Sequence, residues 1–230
     1  MKTRTTGDLV DAIASEIAWR RKELTDLRFL VVQSKDSKTR QAVLTRAAVA
    51  LLYAHWEGFV KATADLYLEF VAMQRCQNGE LIDSFLAVAL RTKLLAAHKS
   101  KKIAGHTAVV EFFRTQMENR ARLPYKDAIR TEANLSSAVL IEILGTLSLN
   151  VHDYESKFHL IDSQLLAKRN HIAHGNSIDI DSEEYLALHE EMLDLMNLLR
   201  NQIENAAISK AYLRPSLKPA VVPEPYNPVL

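Results

Sequence analysis

Apolar residues recur at the three- and four-residue intervals of an α-helix along almost the whole chain. Leu9, Ile13, Ile17, Leu24, Leu27 and Val31 form the first stripe, and Lys35-Asp36-Ser37 makes a polar break after it. A long second helix is predicted from about Thr39 to Cys76, with no proline and only Gly58 inside it, and Gln77-Asn78-Gly79 is its stop signal. The pattern then predicts a helix over Leu81 to His98 and a shorter one over Val109 to Asn119, followed by an irregular stretch over 120–135 around Pro124. Ser136 to Leu147 is apolar and helical in pattern. Tyr154 to Ala173 is a further helix, and Gly175 reads as its left-handed cap. Asp181 and Glu184 have the spacing of a capping box for the last helix. That helix carries Tyr185, Leu188, Met192, Leu195, Leu199 and Ile203 on one stripe. No convincing strand and no internal repeat is found.

Composition agrees with an all-α fold. The 230 residues suffice for one large domain or two small ones with a proper core. Hydrophobic residues make up 48%, which is globular rather than disordered. Glycine and proline, at six each, are too scarce for a turn-rich β fold. The lone Cys76 excludes an internal disulfide and fits a reducing compartment. Residues 1–8 are polar with no apolar signal core, and charge interrupts the longest apolar stretches. A soluble cytoplasmic protein without a membrane partner is therefore expected.

Five of the six prolines (Pro215, Pro219, Pro223, Pro225 and Pro228) fall in the last sixteen residues. That spacing forbids a helix and favours an extended chain, so residues 209–230 are expected to be a tail that drapes over the surface, or alternatively docks a partner. The helical domain is expected to occupy 1–208.

The net charge of +1 hides a strong asymmetry. Residues 91–130 hold ten bases against three acids, a balance of +7, whereas residues 150–208 hold four bases against eleven acids, a balance of −7. The basic middle, above all Lys99, Lys101 and Lys102, offers attraction to a polyanion such as RNA. The plainer alternative is a solvated loop, or a patch that pairs with the acidic last helix.

The chemistry concentrates at Arg169-Asn170-His171-Ile172-Ala173-His174-Gly175, at a predicted helix end. Arginine can hold a phosphate through two parallel hydrogen bonds. Histidine moves protons near neutral pH. The helix stripe is Phe158, Ile161, Leu165 and Ile172, and Arg169 follows Leu165 by four and precedes Ile172 by three. An unbroken helix thus puts Arg169 on the apolar face, where a guanidinium must be paired or must border a cleft. His174 lies five residues on, about 140° around an ideal helix. The two side chains then converge only if the helix distorts or a second chain supplies the complement.

Arg169-Asn170-His171-Ile172-Ala173-His174 resembles the Arg-X(4–6)-His signature of HEPN domains (higher eukaryotes and prokaryotes nucleotide-binding), in its four-spacer form. Tyr53-Ala54-His55-Trp56-Glu57-Gly58-Phe59-Val60-Lys61 resembles the Trp-Glu helix of the RiboL-PSP and MAE-like HEPN branches. Together with the acidic last helix, the resemblance spans most of residues 7–208. It implies a HEPN-like up-and-down helical bundle, with additional helices and the Pro-rich tail as extras, that homodimerises and joins two motifs in one cleft. Many similar proteins are metal-independent endoribonucleases, often toxins or antiviral effectors, for which an antitoxin or defence-system partner is the corresponding expectation. By that resemblance His174 exchanges a proton with the ribose 2′-hydroxyl or the leaving oxygen. Arg169 stabilises charge on the phosphoryl group, and Asn170 orients the phosphate or the histidine. The implied product is a 2′,3′-cyclic phosphate.

Other candidates are weaker. Glu57 and Lys61 stand at i,i+4, which reads first as a surface ion pair and second as a contribution to the cleft. His171 is an accessory polar group or simply exposed. His171 and His174 lack the Glu-x-x-His or cysteine pair that would complete a metal site, so no metal and no cofactor is expected. Trp56 and Phe59 read as core or dimer-interface residues, and Gly58 permits a close helix crossing. Besides the ribonuclease, two readings stay open: a catalytically silent HEPN module that binds RNA, nucleotide or protein, and a purely structural helical protein.

Overall fold

Thr5 opens the first helix with a reciprocal capping box: its hydroxyl accepts from the Asp8 N–H at 3.0 Å, and the Asp8 carboxylate accepts from the Thr5 N–H at 2.9 Å. In this computed structural model, residues 2–100, 102–126, 128–129, 131 and 134–215 are described. The first helix, α1 (Thr6–Gln33), turns at Ser34 to Ser37 into the long α2 (Lys38–Met73). The predicted stripe of α1 is buried at Leu9, Ile13, Ile17, Leu24 and Val31. Antiparallel to it, α2 buries Tyr53, Trp56, Phe59, Val60 and Tyr67. Gly58 faces α1, where a Cβ would lie 3.3 Å from Arg20 Nη2. The missing side chain makes room for Arg20, a residue only 5% exposed. Arg20 is paired with the Glu16 carboxylate and lies 4.3 Å from the Trp19 ring centroid.

Two helices follow as a hairpin, α3 (Asp83–Lys99) and α4 (Ile103–Thr115). No residue of α4 is buried, so the hairpin stands at the edge of the fold. The helix starts six residues before the predicted Val109. Gly105 in the first turn of α4 packs tightly on the α3–α4 turn: a Cβ there would lie 3.0 Å from Ser100 Cβ. The helix also stops before the predicted Asn119. Residues 116–121 turn back and bond to the end of α2, with Asn78 N–H donating to Asn119 O at 2.9 Å and Ala121 N–H to Cys76 O at 2.8 Å.

After an irregular stretch comes α5 (Ser137–Leu147). Residues 152–173 form the predicted motif helix, but its winding changes twice: 3₁₀ over His152–Lys157, π over Leu160–Leu166, then α6 (Ala167–Ala173). The last helix is α7 (Ser182–Ile208), and the whole predicted stripe from Tyr185 to Ile203 is buried. It packs with α1 and α2 as the three long members of the bundle. Asp181 does precede α7, but the capping box does not form. Glu184 pairs instead with Lys168 of α6. The all-α reading therefore holds, and among the described residues only two isolated β-bridges occur. No helix of the described residues is long and apolar enough to cross a membrane.

The packed body continues past Ile208, although the sequence placed the start of the tail at 209. Tyr212 is 3% exposed and meets the Phe70 ring edge-on at 5.9 Å, while its carbonyl accepts from the Ile82 N–H at 3.0 Å. The Pro-rich remainder from 216 lies outside the described residues.

Two buried histidines make the fold sensitive to acid. Burial pushes the His189 and His55 imidazoles below their ordinary value of 6.5, while Glu190 and Glu23 oppose the shift. Above pH 6.5 both rings are neutral in folded and unfolded chains alike. As pH falls through 6.5, the unfolded chain takes up protons that the folded one refuses, and stability is lost. The melting temperature is expected to drop between pH 7 and pH 5, and His189→Gln should flatten that drop. An unchanged pH profile in the variant would assign the loss elsewhere.

Candidate active site

The motif sits where the last turns of α6 lean on α2. Its end is a Schellman cap: the Asn176 N–H donates to His171 O at 3.0 Å and the Gly175 N–H to Ile172 O at 3.0 Å, with Gly175 at φ 72°. Arg46 on α2 then fastens the exit loop, its Nη2 donating to Asn176 O at 3.0 Å. Arg46, Tyr53 and Glu57 stand at i, i+7 and i+11, so one face of α2 serves the whole motif.

The Arg169 guanidinium carbon lies over the Tyr53 ring, 4.0 Å from its centroid. Tyr53 is 2% exposed, and its hydroxyl accepts from the Leu135 N–H at 2.6 Å, which pins the ring in place. Burial pushes the Tyr53 phenol up, so it stays neutral under the cation. The Arg169 Nη1 donates to Asn170 Oδ1 at 2.9 Å. Glu57 stands 4.0 Å from Nη2, close enough for attraction and too far for a hydrogen bond. The guanidinium is thus held by a ring and a carboxamide, and its side chain is 21% exposed. Donors remain for an incoming anion.

The predicted tension at Arg169 is resolved by the π segment. Its wider turn takes extra residues, so the phase of the stripe slips between Ile161 and Arg169. Ile161 and Leu165 are fully buried, while Arg169 sits at the border. The segment is anchored by Asp162, whose carboxylate accepts from the Ser137 N–H at 2.7 Å and from its hydroxyl at 2.5 Å, capping α5.

The remaining candidates are placed as follows. His174 is exposed at the helix end, and its ring makes no hydrogen bond or ion pair among the described residues. His171 is exposed as well. Glu57 turns to Arg169 and not to Lys61, so the expected i,i+4 pair is absent and Lys61 stays exposed. Trp56 and Phe59 are fully buried in the core. Lys99 and Lys102 are exposed at the α3–α4 turn, on elements other than those that carry the motif, and Lys101 lies outside the described residues. No three His, Cys, Asp or Glu of the described residues gather as a metal set. Tyr53 was missed as a site residue. Its signal was the i,i+4 spacing to Glu57, which puts both on one helix face.

Two cavities, of about 730 and about 1010 Å3, are both lined without any residue of the motif. Arg169 and His174 instead face an open surface of α2 and α6. Beside them α2 exposes Val43, Ala47, Leu51 and Ala54 at i, i+4, i+8 and i+11, an apolar stripe on the solvent side.

No curated protein and no solved structure matches the chain. A family model for HEPN domains of the MAE_28990-like type matches residues 9–212, which takes in the Tyr53–Glu57 face and the Arg169–His174 motif together. The chain belongs to the HEPN family.

Proposed function

We propose that the protein is a metal-independent endoribonuclease that cleaves RNA by attack of the ribose 2′-hydroxyl. Family membership points to nuclease or RNA-related work, and the finer reading rests on the site. The observation that carries it is the state of Arg169: oriented by Tyr53 and Asn170, only loosely paired with Glu57, and left with donors to spare. A purely structural arginine at a helix border is expected to be clamped by its carboxylate. One whose carboxylate stands 4.0 Å away, beyond hydrogen-bond reach, keeps donors for an outside anion.

In the proposed reaction the 2′-oxygen attacks phosphorus as its proton passes to a histidine, and the P–O5′ bond breaks as that imidazolium returns a proton to the departing 5′-oxygen. Arg169 stabilises the extra negative charge on the phosphoryl oxygens. His174 is the histidine assigned, exposed at the motif's end. Asn170 keeps the Arg169 fork aligned. One chain leaves the pair on open surface, and the stripe of Val43, Ala47, Leu51 and Ala54 beside it suits a second copy. A homodimer across this face would bring a second motif opposite the first and exclude water. A toxin or defence role, with its own protein partner, is the biological setting this chemistry fits.

The test is incubation of the purified protein with total RNA in excess EDTA. Cleavage that leaves 2′,3′-cyclic phosphate ends is expected, with no cleavage of an oligonucleotide carrying 2′-deoxyribose at the scissile position. Cutting of the 2′-deoxy strand, or loss of all activity in EDTA, defeats the mechanism. A dimer that binds RNA without cutting it favours the silent binding module.

A further inference from the structure

The chain between α4 and α5 displays cations that the motif does not use. Ala121 and Leu123 are buried, while Arg120 and Arg122 between and beside them are exposed. That is the alternation of an extended chain, and it sends both guanidinium groups to the same side. The start of the segment is pinned by its backbone bonds to Cys76 and Asn78. Both arginines border the cavity of about 1010 Å3, whose wall also includes Lys93 of α3, Phe112 and Glu111 of α4, and Tyr125. Three cations and two aromatic rings therefore share the wall with one carboxylate.

Those cations are not spent on the protein's own acids. No ion pair among the described residues uses a base from 91–126. The acids of α7 pair instead with Arg28, Lys157, Lys168 and Arg200. The charge asymmetry of the sequence thus survives folding as an open basic cavity.

We propose that this cavity docks single-stranded RNA, with Lys93, Arg120 and Arg122 on backbone phosphates and Phe112 and Tyr125 stacking on bases. Cations beside flat rings are the pairing that single strands require. A duplex hides its base faces and offers only its outer surface. The size is at the top of the range for small-ligand sites, which suits a short run of nucleotides. The inference deepens the ribonuclease reading and rests on it, since it states where the substrate strand is held outside the cleavage motif.

The experiment is an anisotropy titration of a labelled single-stranded 12-mer RNA against the full chain carrying His174→Ala, over a range of salt. Removing Lys93, Arg120 and Arg122 together (each →Ala) is expected to weaken binding at least tenfold and to lower the salt slope by about 2, at roughly 0.7 per phosphate contact. Tyr125→Ala is expected to weaken it about tenfold with the slope unchanged. Equal loss on removing three exposed bases elsewhere (Lys2, Lys22 and Lys35) would overturn the site in favour of general charge attraction. Competition by AMP or GMP at the same concentration as the RNA would overturn it in favour of a small-nucleotide site. Because binding is read without cleavage, a failed cleavage assay leaves this result standing, and unchanged binding in the cavity variants sinks the docking site alone.

Discussion

His174→Ala is expected to slow single-turnover RNA cleavage by about 10²- to 10⁴-fold, the usual worth of a positioned proton-transfer group. The same substitution should leave folding and RNA affinity nearly untouched. Its ring is exposed and makes no bond among the described residues, so nothing in the packing depends on it. Arg169→Ala should cost a similar factor in rate, but it also uncovers the Tyr53 ring and leaves Glu57 without its cation. Arg169→Lys should recover little of the rate, because an ammonium keeps the charge and loses the planar fork that lies on Tyr53 and reaches Asn170. Mixing the two alanine variants adds a readout of the dimer. If the cleft is composite, hybrid dimers that retain one intact Arg169 and one intact His174 regain part of the activity. Persistence of full activity in His174→Ala would remove the histidine from the mechanism.

Trp56→Ala is expected to destabilise the fold by about 3–5 kcal/mol, the range for losing a large buried aromatic. A domain of this kind has only about 5–15 kcal/mol in total. Trp56 is completely buried at the centre of α2, the helix that packs on α1, α5, α6 and α7. The cavity left behind would therefore loosen the face that holds Arg46, Tyr53 and Glu57. Urea unfolding at several protein concentrations checks this. A loss independent of concentration marks a core residue, whereas a loss confined to dilute protein would mark a dimer-interface residue instead.

Much of the fold was legible because burial leaves a period in the sequence. The stripes of α1 and α7 could be read residue by residue, since each of those helices hides one face and wets the other. The left-handed glycine after the motif was legible for an equally local reason, the cost of a Cβ at positive φ. Local rules failed where a distant partner outbid them. Glu184 had the spacing of a cap and went to Lys168, and Glu57 had the spacing of a pair with Lys61 and went to Arg169.

The candidate site divides along the same line. Arg169, Asn170 and His174 are contiguous, so residue type and spacing alone determined which chemistry the chain carries and the family it resembles. What holds the arginine could be decided only in three dimensions. Tyr53 and Glu57 reach it from a helix far away in sequence, and the π turn before it is tied to the start of α5 through Asp162. The basic stretch was visible as charge, but only packing showed that Lys93, Arg120 and Arg122 share one cavity while the acids of α7 are engaged elsewhere. The reason is physical: periodicity and propensity are local properties of a chain, whereas pairing of charges and shaping of a cavity are set by which helices meet.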